Sequence, residues 1–250
     1  MINGEDTYLI DAGDGAAAQL SKVGISILDL KAIFLSHHHF DHIGGLGAIL
    51  GLRHQMETRE MLTVYGPPGT QQLVNGILEY MTPSADVGNG FPDNHSRATP
   101  VDRYINVIEI RDGSIIEFEN LTITTASNTH FTYPPESEEN EIFQSLSFRF
   151  DLADRSIVYT GDTGPSEAVE ALANDVDLLI SEVMDIDLTI NRIREENPNI
   201  PQQVYDGIVN HLRSHHVTPN QVGEIATRAG AKEVVLTHVS PLMLEIEEQE

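Results

Sequence analysis

The stretch Ser36-His37-His38-His39-Phe40-Asp41-His42-Ile43-Gly44-Gly45 places four histidines and an aspartate within six consecutive positions. It follows the wholly apolar run Ala32-Ile33-Phe34-Leu35, which reads as a strand buried on both faces. Residues two apart on an extended segment point the same way, so His37 and His39 can grip one ion. Asp41 and His42 lie on the ensuing turn and can reach a second. Neutral imidazole is the preferred nitrogen ligand for zinc, with carboxylate oxygen as an acceptable second type. One metal would be crowded by these ligands, whereas two metals about 3.5–4 Å apart need about seven, one of them a bridging carboxylate. Later positions supply candidates: His130 after the Leu121 strand, Asp162 after Tyr159, and His238 after Leu236. The run is internal and patterned, unlike a terminal tag.

Working outward, the chain reads as mixed strand and helix without repeats. Helices are expected at Ala16 to Val23, Leu46 to Met56 and Gln71 to Tyr80. Further helices follow over Ser166 to Ala173, Leu188 to Glu196, Gln202 to Leu212 and Pro219 to Ala229. Val107 to Ile110, Ser114 to Phe118 and Leu121 to Thr125 are expected as an antiparallel run, turning at Asp112-Gly113 and Glu119-Asn120. Val234-Val235-Leu236 reads as the last buried strand. Thr82 to Asp102, with three prolines and two glycines, reads as a long loop and candidate lid, and residues 245–250 as an acidic tail. Strands with helices on their outer faces, in two successive halves, suggest one α/β domain over residues 1–250, a four-layer αββα sandwich.

Composition narrows the function. Apolar residues make up 40% of the 250 and charged residues 21%, an ordinary globular balance. Lys and Arg number 14 against 39 Asp and Glu, a net charge of −25, which weighs against nucleic acid as the main partner. The absence of cysteine excludes disulfides, thiolate ligands and a catalytic thiol. No stretch approaches the roughly 20 apolar residues that span a bilayer, so no membrane partner is expected. No secretory leader is visible, and the compartment is left open.

The segment from Ser36 to Gly45 resembles the signature of the metallo-β-lactamase superfamily. Tyr8-Leu9-Ile10-Asp11-Ala12-Gly13, Thr160-Gly161-Asp162-Thr163 and Leu236-Thr237-His238 fall in that family's order. The resemblance implies a fold of that type and a di-zinc site: His37, His39 and His130 on one ion, Asp41, His42 and His238 on the other, and Asp162 bridging. Manganese or iron could also occupy such mixed sites. His38 occupies a variable position and should point away; His54 and His95 match no motif. Family members usually begin with one or two strands before the segment matching Thr7 to Ile10. Only six residues precede it here, so the natural N-terminus and an edge of the first sheet are expected to be missing.

Ser214-His215-His216-Val217-Thr218 resembles the extra histidine motif of the ribonuclease Z-like and arylsulfatase-like branch, where that side chain contacts the scissile phosphate or sulfate. This assigns His216 a catalytic role beside Asp41. The implied chemistry is ester hydrolysis by a metal-bridging hydroxide, available near neutral pH because two metals acidify a shared water. Asp162 stands where typical zinc β-lactamases carry cysteine, which disfavours antibiotic hydrolysis. True ribonuclease Z generally inserts a basic, glycine-rich arm between the motifs bearing His130 and Asp162. Here 31 residues separate them, including Glu136, Glu138, Glu139 and Glu141. The leading expectation is therefore a phosphodiester or related small anionic ester as substrate. The alternatives are transfer-RNA 3′-end processing and lactonase or thioesterase activity; a homodimer is expected by analogy.

Overall fold

Local sequence decides where each element starts and stops in the computed structural model, which describes residues 1–88, 90 and 99–239. The chain divides into two compact units, residues 1–110 with 141–143, and residues 111–140 with 144–250.

The first unit carries a five-stranded sheet in the order β1-β2-β3-β4-β5, formed by Ile2–Asn3, Asp6–Ile10, Leu30–Phe34, Leu62–Gly66 and Ile105–Glu109. β2 to β5 pair in parallel, and β1 lies antiparallel to β2. β1, two residues long, is the end strand of this sheet among the described residues. Its helices are α1 (Ala16–Lys22), α2 (Phe40–Ile43), α3 (Leu46–Gln55) and α4 (Thr70–Val87). Ile33, Leu35, Ile49, Leu50, Val64 and Val74 are fully buried in one core. Phe34 stacks on Tyr65 with centroids 4.9 Å apart, a contact worth about 0.5–1.5 kcal/mol beyond its buried area.

Helix α4 corrects the loop expected from Thr82. It continues to Val87 with Pro83 inside it. Proline removes one ladder donor, yet Val74, Ile77 and Met81 recur at helical spacing and pack into the core, and Thr82 Oγ1 donates to the Leu78 carbonyl at 3.1 Å. Packing of the apolar face outweighs the lost bond. Residues 89 and 91–98 of the candidate lid, and the acidic tail, lie outside the described residues.

The second unit carries a six-stranded sheet ordered β11-β10-β9-β8-β7-β6. In chain order β6 to β11 are Ile115–Phe118, Leu121–Ser127, Leu146–Leu152, Ser156–Tyr159, Leu178–Val183 and Glu233–Val239. β6 to β9 are antiparallel neighbours, while β9, β10 and β11 run parallel. Helix α5 (Glu138–Ile142) has residues in both units, and the helices of the second unit are α6 (Glu167–Leu172), α7 (Ile186–Glu196), α8 (Gln202–His215) and α9 (Pro219–Ala229). Thr218 caps α9 with a full capping box to Gln221, and proline follows in its first turn, as the sequence signals.

Two expectations fail here. β5 pairs with β4 and not with β6, so Asp112-Gly113 is no hairpin turn. Instead Gly113 N donates to the Thr125 carbonyl at 3.0 Å and Thr125 Oγ1 to the Arg111 carbonyl at 2.5 Å, folding this corner onto β7. Strand β11 is not buried: Val234, Val235 and Leu236 are 42%, 48% and 47% exposed among the described residues. Among the described residues it is the end strand of its sheet and pairs with β10.

Candidate functional site

In the first unit the candidate ligands hang on the turn that follows β3. Asp11, just past β2, adopts the left-handed conformation at φ 57°, uncommon for a residue with a Cβ. Its amide donates to the Phe34 carbonyl at 2.8 Å. Its carboxylate accepts from Ser36 N at 2.7 Å, Ser36 Oγ at 2.8 Å and His42 Nδ1 at 2.8 Å. With the Ser36 hydroxyl proton committed to Asp11, His37 Nδ1–H donates to Ser36 Oγ at 3.0 Å. Both His37 and His42 then present their Nε2 lone pairs, the tautomer a metal requires. Gly13 and Gly45 let the backbones of residues 12–13 and 41–45 touch, because a Cβ on either would collide with a carbonyl oxygen.

His37 Nε2 and His39 Nδ1 face each other at 3.1 Å. Two nitrogen arms of 2.0–2.1 Å at a tetrahedral angle put donors about 3.3 Å apart, so this pair fits one ion. Asp41, 62% exposed, sets Oδ2 at 3.7 Å from His42 Nε2. His38 turns away as expected, its Nε2 against Thr70 Oγ1 at 2.9 Å, and burial lowers its pKa. His54 is apart from this group, its Nε2 donating to the Thr99 carbonyl at 3.2 Å; His95 lies outside the described residues.

In the second unit the candidates come from four separate strand and helix ends. His130, after β7, donates Nδ1–H to the His215 carbonyl at 3.1 Å, leaving Nε2 for a ligand role. Asp162, after β9, is buried between two histidines. Its Oδ2 lies 4.0 Å from His130 Nε2 and its Oδ1 3.7 Å from His238 Nδ1. His238 sits near the end of β11 at φ 49°. His216, where α8 ends, joins His130 and Asp162 with donor atoms all within 4.8 Å of one another. One carboxylate with its two oxygens turned to different imidazoles suits a bridge. Nitrogen and oxygen donors without sulfur suit zinc.

Sequence reasoning missed Glu182. This carboxylate on β10 is 1% exposed. It accepts from His216 Nδ1 at 2.8 Å with one oxygen and from Thr163 N with the other. Burial raises its pKa, against the lowering effect of the His216 hydrogen bond. The available signal was a charged residue inside the run Leu178-Leu179-Ile180-Ser181-Glu182-Val183. Asp11 belongs to the Tyr8–Gly13 motif, and the turn it braces explains why an aspartate stands there.

The family model described as "Beta-lactamase superfamily domain" matches residues 6–239. A ribonuclease Z of Mycolicibacterium gilvum (strain PYR-GCK) is 28% identical over 247 residues, covering 96% of this chain and 76% of that protein. Among solved structures, the short form of human tRNase Z (ELAC1) superposes with a TM-score of 0.64 at 20% identity, covering 97% of this chain and 85% of that one. A diphosphatase of the PhnP family gives 0.61 at 18% identity, covering 96% and 70%. The fold class expected from sequence is therefore the fold found. The expectation that nucleic acid is disfavoured as a substrate draws no support from these likenesses.

Proposed function

This chain belongs to the β-lactamase superfamily and is a metal-dependent hydrolase of ester bonds, and on that footing we propose that it is a two-zinc enzyme cleaving small phosphodiesters or related anionic esters. The ligand set is His37, His39 and His130 for one ion, Asp41, His42 and His238 for the other, with Asp162 shared. The observation that carries this reading is Asp162 itself, whose two buried oxygens face His130 and His238 separately.

When bound, the metals bring the pKa of water from 15.7 towards 7 and polarise the ester oxygen. The chain supplies the proton traffic. Asp41 accepts a proton from the attacking water. His216, its Nδ1 fixed by Glu182, donates from Nε2 to the leaving oxygen as the ester bond breaks. Burial of Glu182 strengthens that hydrogen bond, because electrostatic attraction is larger in the low dielectric of the interior.

The net charge of −25 and the acidic stretch from Glu136 to Glu141 support a small substrate over folded RNA, since long-range repulsion opposes a polyanion. A second reading, transfer-RNA 3′-end processing, is favoured by the ribonuclease Z relative and the tRNase Z neighbour. A zinc-loaded assay panel separates them: bis(p-nitrophenyl) phosphate, an aryl sulfate, a lactone, a thioester and precursor transfer RNA. Turnover of bis(p-nitrophenyl) phosphate with intact precursor is the expected result. Cleavage of the precursor at its 3′ end in preference to the small ester would establish the second reading, and turnover of carbonyl substrates alone would remove both.

A further inference from the structure

A second group of imidazoles lies on α8, outside the ligand set assigned above. His211 and His215 stand four residues apart in the last turns of that helix, so their side chains share one face. Their Nδ1 atoms face each other at 2.9 Å. His215 Nε2 is 3.0 Å from Thr132 Oγ1. The tautomer that donates this Nε2–H to the threonine leaves the His215 Nδ1 lone pair aimed at His211. Two histidines at this spacing on a helix are a bidentate chelate for a transition metal. The site is also electrostatically suited, because a helix C-terminus carries partial negative charge that favours a cation. A chain of net charge −25 raises the local cation concentration further.

We propose that His211 Nδ1 and His215 Nδ1 form an additional transition-metal site beside the hydrolytic residues, the His211 ring lying 5.7 Å from that of His130 and 5.4 Å from that of His216. In the metal-free form one Nδ1–H donates to the other Nδ1, and an ion replaces that shared proton. The displaced proton moves from His211 Nδ1 to His211 Nε2, so both imidazoles stay neutral and the only added charge is the ion's own. Water completes the coordination, and the site is weaker and more readily exchanged than one with more protein ligands. Borderline ions that prefer imidazole, Cu2+ above Ni2+ and Zn2+, should fill it. The inference does not depend on the reaction proposed above. It does bear on the centre, since the His215 carbonyl is the group that holds His130 Nδ1–H.

The test uses the zinc-loaded full chain titrated with Cu2+, with zinc content and the Cu2+ electron paramagnetic resonance spectrum followed together. The expected result is uptake of one copper equivalent without release of zinc, and superhyperfine coupling from two nitrogens. His211→Ala and His211→Gln should each lose that equivalent while keeping their zinc. Uptake unchanged in both variants, or copper entering only as zinc leaves, would overturn the proposal. His211→Gln guards against misreading a folding defect, because glutamine preserves helix and bulk without the imidazole.

Discussion

The two groups of candidate site residues are built in opposite ways. In the first unit, His37, His39, Asp41 and His42 come from one continuous hexapeptide, braced by a single carboxylate, Asp11, that reaches Ser36 and His42 at once. In the second unit, His130, Asp162, His216 and His238 come from segments spread over more than a hundred positions. Sheet order brings them together there: β7, β8, β9, β10 and β11 are successive neighbours, and three of the four groups sit just past or near strand ends. A local motif can be held by one buried anchor. A dispersed one needs the whole sheet, and it can add partners such as Glu182 that no local pattern announces.

Substitutions sharpen this contrast. The largest effect should follow Asp162→Ala, which removes the carboxylate both histidines face; metal analysis should show at least one ion lost and hydrolysis at background. Unchanged stoichiometry would contradict a bridging role. His216→Ala should lower kcat by about 10²–10⁴-fold, the usual contribution of a positioned acid, while zinc content stays at the wild-type level. Loss of metal in that variant would make His216 a ligand. Asp11→Asn should weaken metal affinity by about 10–100-fold, as removal of an outer hydrogen-bond partner typically does, and competition with a chelator would measure it.

The smallest effect concerns stability and serves as a control away from either ligand group. Asp177 is held down to about 2 from 3.8 by Lys232 and by the amide and hydroxyl of Ser156. A depressed folded pKa contributes stability above the unfolded value that is lost as pH falls from about 4 towards 2. Asp177→Asn should therefore lower Tm slightly at pH 7, with the difference from wild type closing by pH 2. A gap that persists at pH 2 would place the effect in packing.

Most elements were legible in the sequence because their signals are local. Pro219 to Ala229 has the predicted bounds, and Ser166 caps α6 by accepting from Val169 N at 3.3 Å. The failures share one cause, competition from tertiary packing. Pro83 argued for a break, but the apolar face of α4 carried the helix past it. Asp112-Gly113 argued for a hairpin, but β5 found a parallel partner in β4. Of the site, the His37–His42 run was plain in the sequence. Asp11 and Glu182 were not, because their role is to hold other side chains, which depends on which backbones meet.

The most direct measurement is anomalous diffraction at the zinc edge from crystals of the zinc-loaded protein. The account predicts two peaks about 3.5–4 Å apart, with Asp162 between them and histidines of both the early run and the later strand ends around each. A single peak, or two whose ligands exclude Asp162, would contradict it.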